Sequence, residues 1–236
     1  MFEEQIITYL QSYEMKSTDM EELSGRIGRR LTEQPCMPDS RVAGNCMLQY
    51  SWADEKQREA YAALLAADMD EKTKTQVHPA FVSIISQMDE TDMLLLNRIR
   101  EQRAMPIADC YLSRMKKSGS FSGKTMEDMA GSMKLIMHMT TFLPTDGDYE
   151  HVQAAIDNLL RLHLIEIHMQ EERHALEEIQ ENEYEDIYML FQQIIEETVT
   201  QLCSRYPECR ERRIRLHTGN ISFTAFGSRF LRVCGI

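Results

Sequence analysis

The chain has no apolar run near the ~18 residues that a membrane-spanning helix requires. It has no basic segment at its start: MFEEQIITYLQSYE is acidic from Glu3 onward, which argues against a secretory leader and predicts a cytoplasmic protein. Cysteine is present but unpaired in pattern. Cys36, Cys46, Cys110, Cys203, Cys209 and Cys234 include no CxxC, so reduced thiols are expected rather than a disulfide framework or a zinc site. There is no Gly-x-Ser-x-Gly, no HExxH and no phosphate-binding glycine loop. GSFSGK (119–124) places only three residues between Gly119 and Gly123, too few for such a loop, and reads as a polar linker. No internal repeat is evident. His163, His168 and His174 lie near Glu166, Glu171 and Glu172, but steps of five and six do not put two ligands on one helical face. These absences remove the common catalytic classes. The expectation is a protein without catalytic residues, metal or cofactor.

What is present is a soluble composition, 43% hydrophobic and 27% charged, with a net charge of −12. That charge is unevenly spread. From Arg205 to the end there are seven arginines and two glutamates, a local net of +5, which leaves −17 for the remainder. Arg210, Arg212, Arg213, Arg215, Arg229 and Arg232 are therefore candidate contacts to an anion or an acidic partner. An acidic whole argues against nucleic acid, because phosphate neutralisation needs a basic face.

Periodicity predicts mostly helix. Phe2, Ile6, Ile7 and Leu10 have helical spacing, and Thr18-x-x-Glu21 reads as a capping box ahead of Met20, Leu23, Ile27 and Leu31. Pro35 and Pro38 interrupt, and Ala53–Met69 is helical with Tyr61, Leu64 and Leu65 inward. Pro79 suits a first helical position, followed by Phe81, Ile84, Ile85 and Met88 on one face. Asp89 can cap the next helix with Asp92 three residues on, and Met93, Leu96 and Ile99 inward. His78 is read as part of that helix start. MPIADCYL (105–112) reads as a strand and 113–124 as a loop. Met126–Phe142 reads as a methionine-rich helix with Met133, Met137 and Met139 in the core. The helix 149–163 has Val152, Ala155, Ile156, Leu159 and Leu162 inward and runs into a strand, LIEIH. A long acidic helix (169–206) follows. It carries an apolar stripe at Ile187, Leu190, Phe191, Ile194, Ile195, Val199 and Leu202, a candidate interaction surface. RIRLHTGNISFT (213–224) reads as a hairpin about Gly219-Asn220, and AFGSRFLRVC as a last helix.

The fold class expected is mainly α. A helical N-terminal region, 1–75, precedes a winged-helix-like α+β domain, 76–236. That domain has a small β-hairpin and a long helical insertion at about 169–206.

Four segments resemble the abortive infection alpha (Abi-alpha) family: EAYAALLAADMD (59–70), VHPAFVSIISQMDETDMLLL (77–96), IDNLLRLHLIEI (156–167) and ISFTAFGSRFLRVC (221–234). The second and fourth are the most specific. The motif positions are His78, Pro79, Phe81, Asn158, Leu159, Thr224, Phe226, Gly227 and Phe230, which read as structural. The chain departs from the family pattern at His163, where glycine is usual. The resemblance implies a cytoplasmic bacterial protein linked to phage defence and supplies no catalytic residues. The expected function is therefore non-enzymatic, exercised through a protein partner or a homodimer. The alternative is a winged-helix DNA-binding regulator. It is less favoured because helix 149–163 turns Glu150, His151, Gln153, Asp157, Asn158 and Arg161 outward, with more carboxylate than guanidinium.

Overall fold

A computed structural model describes residues 2–13, 15–114, 132–143, 148–174, 183–207 and 212–236. The described residues form two compact units that interleave along the chain. The first comprises 1–97, 158–165 and 223–236; the second comprises 98–157 and 166–222.

The first unit is helical: α1 (Glu3–Leu10), α2 (Ser17–Arg30), α3 (Ser40–Tyr50), α4 (Glu55–Met69), α5 (Ala80–Ile85), most of α6 (Glu90–Gln102) and α9 (Ala225–Cys234). Helix α4 is alanine-rich and apolar on most sides, with Ala60–Ala66, Asp68 and Met69 buried, so it can be surrounded. It touches α2, α3, α5 and α9. Its start is a capping box in which Asp54 accepts from the Gln57 N–H and the Gln57 side chain accepts from the Asp54 N–H. The stripe Met20, Leu23, Ile27 and Leu31 is buried as its spacing predicts. The capping box expected at Thr18 does not form: α2 starts at Ser17, and Lys16 at its N-cap makes no side-chain bond. Helix α3 has no counterpart in the sequence reading.

One buried cation holds α2 to α4. Arg26 donates to Glu22 and Glu55 and pairs with Glu59. Glu22 also accepts from the Tyr50 hydroxyl at 3.1 Å and from Arg58 at 3.0 Å. Arg58 lies over the Tyr50 ring, 5.1 Å from its centroid.

The second unit is a four-stranded sheet with one long helix against it. Strands β1 (Met105–Arg114), β2 (Met133–Met139), β3 (Ile165–His174) and β4 (Arg212–Phe223) lie in the order β2-β1-β4-β3. Strand β1 pairs antiparallel with β2 and, over its whole length, with β4. Helix α7 (Tyr149–Arg161) precedes β3, and α8 (Glu183–Arg205) runs between β3 and β4. Asp148 opens α7 by accepting the Glu150 N–H at 2.9 Å.

Three sequence expectations need correction here. Residues 133–139 are strand, not helix. MKLIMHM is a short apolar run whose periodicity is ambiguous, and a partner 20 or more residues away decides it. Of the methionines placed in the core, Met139 is buried while Met133 and Met137 are half-buried. The hairpin expected at 213–224 is instead a single strand, Arg212–Phe223, between β1 and β3, so Gly219-Asn220 is not a turn. Gly219 instead allows β3 to approach: a Cβ there would lie 2.5 Å from the His168 carbonyl oxygen. Of the helix expected over 169–206, the part up to His174 is strand β3 and Glu183–Arg205 is helix, while 175–182 lie outside the described residues. The polar segment 115–124 and the PTDG of the turn before α7 lie outside the described residues.

Candidate interaction surfaces

The stripe on α8 divides in two. Ile187, Phe191 and Ile195 are buried against Ala108, Cys110, Ile136, Met139 and Leu216 of the sheet. Phe191 meets Tyr149 edge-on at 4.5 Å, and Val199 packs at the margin. Leu202 is half-buried. The remaining apolar residues point away from the sheet: Met189 is 56% exposed, Leu190 44% and Ile194 45%. Glu185, Asp186, Glu196 and Glu197 share the exposed side, and no lysine or arginine occurs on α8 before Arg205. Gln192 and Gln193 each donate to the carboxylate four residues on, at 2.8 and 2.9 Å, which orders those acids along the helix. The result is a short apolar strip, Leu190 and Ile194, with Met189 turned away from it and carboxylates between.

The arginines are put to different uses. Arg229 donates to the carbonyls of Thr75 and Gln76, and Arg232 to the Gln76 side chain at 3.3 Å, so both fasten α9 to the turn at 74–76. Arg213 and Arg215 lie on β4, opposite Ser113 and Tyr111 of β1. Their neighbours Ile214 and Leu216 face α8, so alternation puts Arg213, Arg215 and His217 on the other face of the sheet. Lys134 of β2 pairs with Tyr111 from the opposite side. A row Lys134–Tyr111–Arg215 therefore crosses three strands, with Arg213 exposed beside it. Asp109 on the same face is buried and accepts the His138 N–H at 2.8 Å. Burial pushes the Tyr111 hydroxyl above its ordinary range, with the Asp109 carboxylate adding to it. Arg212 starts β4 opposite Arg114, and Arg210 lies outside the described residues.

All nine motif positions fall in the first unit. The His78 ring sits 5.9 Å from Phe81 and 5.8 Å from Phe226, and Phe81 lies 5.3 and 5.2 Å from Phe226 and Phe230. Pro79 is the N-cap of α5, and the His78 Nδ1 accepts the Ala80 N–H at 3.1 Å. That is the helix-start role its position suggested. Asp89 and Asp92 bond reciprocally at the start of α6, at 2.9 and 3.0 Å. Asn158 donates to the Asp92 carboxylate at 2.7 Å and to the Gln87 carbonyl at 3.0 Å, and Leu159 beside it is buried. Desolvation pushes the Asp92 carboxyl up to about 6. Thr224 accepts the Gly227 N–H at 2.8 Å and donates to the His163 carbonyl at 2.6 Å. Gly227 lies on the chain itself: a Cβ there would fall 1.9 Å from the Leu164 oxygen. His163 sits at φ 57°, the left-handed conformation that favours the glycine usual in this motif.

His168 contacts Glu166 at 3.3 Å, His163 is exposed, and the His174 side chain is outside the described residues. Cys46, Cys110 and Cys234 are buried free thiols, and burial pushes Cys110 up to about 12. Among the described residues no three metal-ligating side chains gather. Among them, too, no helix is long and apolar enough to cross a membrane.

Sequence reasoning missed one exposed surface altogether. Trp52, the single tryptophan of the chain, is 89% exposed just beyond α3, with Leu48 67% exposed on that helix and Met37 64% exposed before it. A lone tryptophan beside a weakly periodic helix gives no signal in a sequence.

The family model for abortive infection alpha matches residues 15–234, and the chain belongs to that family. The match reaches back past residue 50 to include α2 and α3. No curated protein matches the chain, and no solved structure matches it.

Proposed function

We propose that this member of the abortive infection alpha family is a cytoplasmic phage-defence protein that works without catalysis, through contacts with another protein. The outer face of α8 carries the reading. Three large apolar side chains in water among four carboxylates, on a helix without lysine or arginine before Arg205, suit a partner segment that is amphipathic and basic. Burying them would contribute on the order of 1 kcal/mol each at about 25 cal/mol per Å2. The acidic border would steer a cationic partner and repel an acidic one.

A DNA-binding regulator is the second reading. The exposed Arg213, with Arg215 and Lys134 on the sheet face opposite α8, is what supports it. A salt titration of binding to random duplex DNA separates the two, using intact protein and an Arg213→Glu/Arg215→Glu variant. Tight binding that falls steeply with salt and disappears in the variant would favour the regulator. The protein-contact reading expects no binding at low salt. It also expects phage protection to fail when the α8 face is made polar. Protection that survives that change overturns the assignment to α8.

A further inference from the structure

The exposed tryptophan follows the end of α3, and that helix borders a depression. Tyr13, Gly44, Asn45, Met47 and Leu48 line an open cleft of about 330 Å3 along α3, with Ser40 and the Arg41 guanidinium at one end. Gly44 shapes it. The Tyr13 ring lies so close that a Cβ at Gly44 would meet its Cε1 at 3.2 Å. Leu48 lines the cleft and is itself 67% exposed, and Trp52 follows it by four residues in the turn that closes α3, its N–H bonded to the Gln49 carbonyl.

We propose that this surface joins two copies of the chain, the Trp52 of each entering the Tyr13–Gly44–Leu48 cleft of the other. A two-fold interface requires a patch that complements itself, and a knob close to a hole meets that condition. Charge points to the same occupant. In a chain of net charge −12, two copies approach most readily where carboxylates are missing or neutralised. Helix α3 contains no acidic residue, and its single cation, Arg41, is held by Asp39 just outside it, at 2.8 Å and 3.2 Å. The outer face of α8, by contrast, would set four carboxylates against four.

The area sets the strength. Trp52 and Leu48 together expose roughly 350 Å2 of largely apolar surface per copy, or ~700 Å2 for a pair, the low end of weak and reversible interfaces. Tryptophan is the residue type that most often dominates such contacts.

Sedimentation equilibrium of the intact protein, with tryptophan emission recorded over the same concentrations, tests this directly. Because Trp52 is the only tryptophan, its emission reports this surface alone. The expected result is concentration-dependent dimerisation with a parallel blue shift. Trp52→Ala and Leu48→Glu should each weaken association at least about tenfold, whereas Ile194→Glu should leave it unchanged. Circular dichroism confirms that each exposed-site variant stays folded. A protein that stays monomeric to its highest soluble concentration, its indole emitting as in water throughout, overturns the proposal. So does a dimer indifferent to both α3 variants, or one lost on Ile194→Glu. The α8 reading is tested by a different surface and a different assay, so either can fail alone.

Discussion

Each unit is stabilised internally in its own way. In the first, helices pack around α4, and their ends are set by local polar contacts: reciprocal caps at Asp54/Gln57 and Asp89/Asp92, the Thr224 cap and the His78 helix start, with a long-range aromatic cluster of Phe81, Phe226 and Phe230 beside them. In the second, β1 pairs residue for residue with β4 about 100 positions away, and α8 closes one face of the sheet with Ile187, Phe191 and Ile195. The first unit therefore carries the recognisable motif, because caps and close backbone approaches tolerate few residue types. The second carries the uneven charge and the acidic apolar strip, because a sheet fixes only one face of each strand and a helix only one side.

Gly227 and Gly25 give the sharpest test of the first half of this contrast. Gly227→Ala forces a methyl into the Leu164 carbonyl and should destabilise by about 4 kcal/mol or prevent folding, seen in thermal or urea unfolding. Gly25→Ala, with nothing within 4 Å of the new Cβ on α2, should stabilise by ~0.5–1 kcal/mol. If both glycines tolerate alanine equally, the close approach at Leu164 is wrong.

For the second unit, Phe191→Ala empties the junction of α8 with the sheet. It should cost about 3–4 kcal/mol, and the slope of urea unfolding will show whether cooperativity is kept. A loss below 1 kcal/mol would mean that α8 does not close the sheet. His163→Gly tests the departure from the motif. Relieving the left-handed histidine should raise stability by ~1 kcal/mol, and a drop would place a needed contact on the imidazole.

A smaller effect concerns pH. The Asp92 carboxyl is raised to about 6 in the folded protein, above the ordinary ~3.9 of an unfolded chain. Its proton is therefore bound more tightly in the native state. The stability this supplies is complete below about pH 4 and is lost as pH rises through 6. Asp92→Asn should flatten the melting temperature across that window. An unchanged profile would exclude Asp92 as its source.

Sequence legibility follows the same division. The capping pair Asp89/Asp92, the inward faces of α5, α6 and α7, strand β1 and the closing helix from Ala225 were all readable, since each is encoded within a few residues; the Thr224 cap was not. Strands β2 and β4 were not. MKLIMHM and RIRLHTGNISFT fit helix and hairpin on local grounds, and only their pairing with β1 decides against both. The α8 stripe was readable as a stripe, but not the side from which it is covered. Arg229 and Arg232 looked like a charged surface feature until the carbonyls at 75 and 76 supplied their partners.

Phage plating efficiency is the most direct test of the central claim. Cells producing the intact protein would be compared with cells producing a Leu190→Glu/Ile194→Glu variant. Both positions are about half exposed, so the variant should stay folded, losing little more than the ~0.5 kcal/mol usual for surface changes. The account predicts that plating is suppressed by the intact protein and restored to the empty-cell level by the variant at equal protein abundance. Equal suppression by both would contradict it.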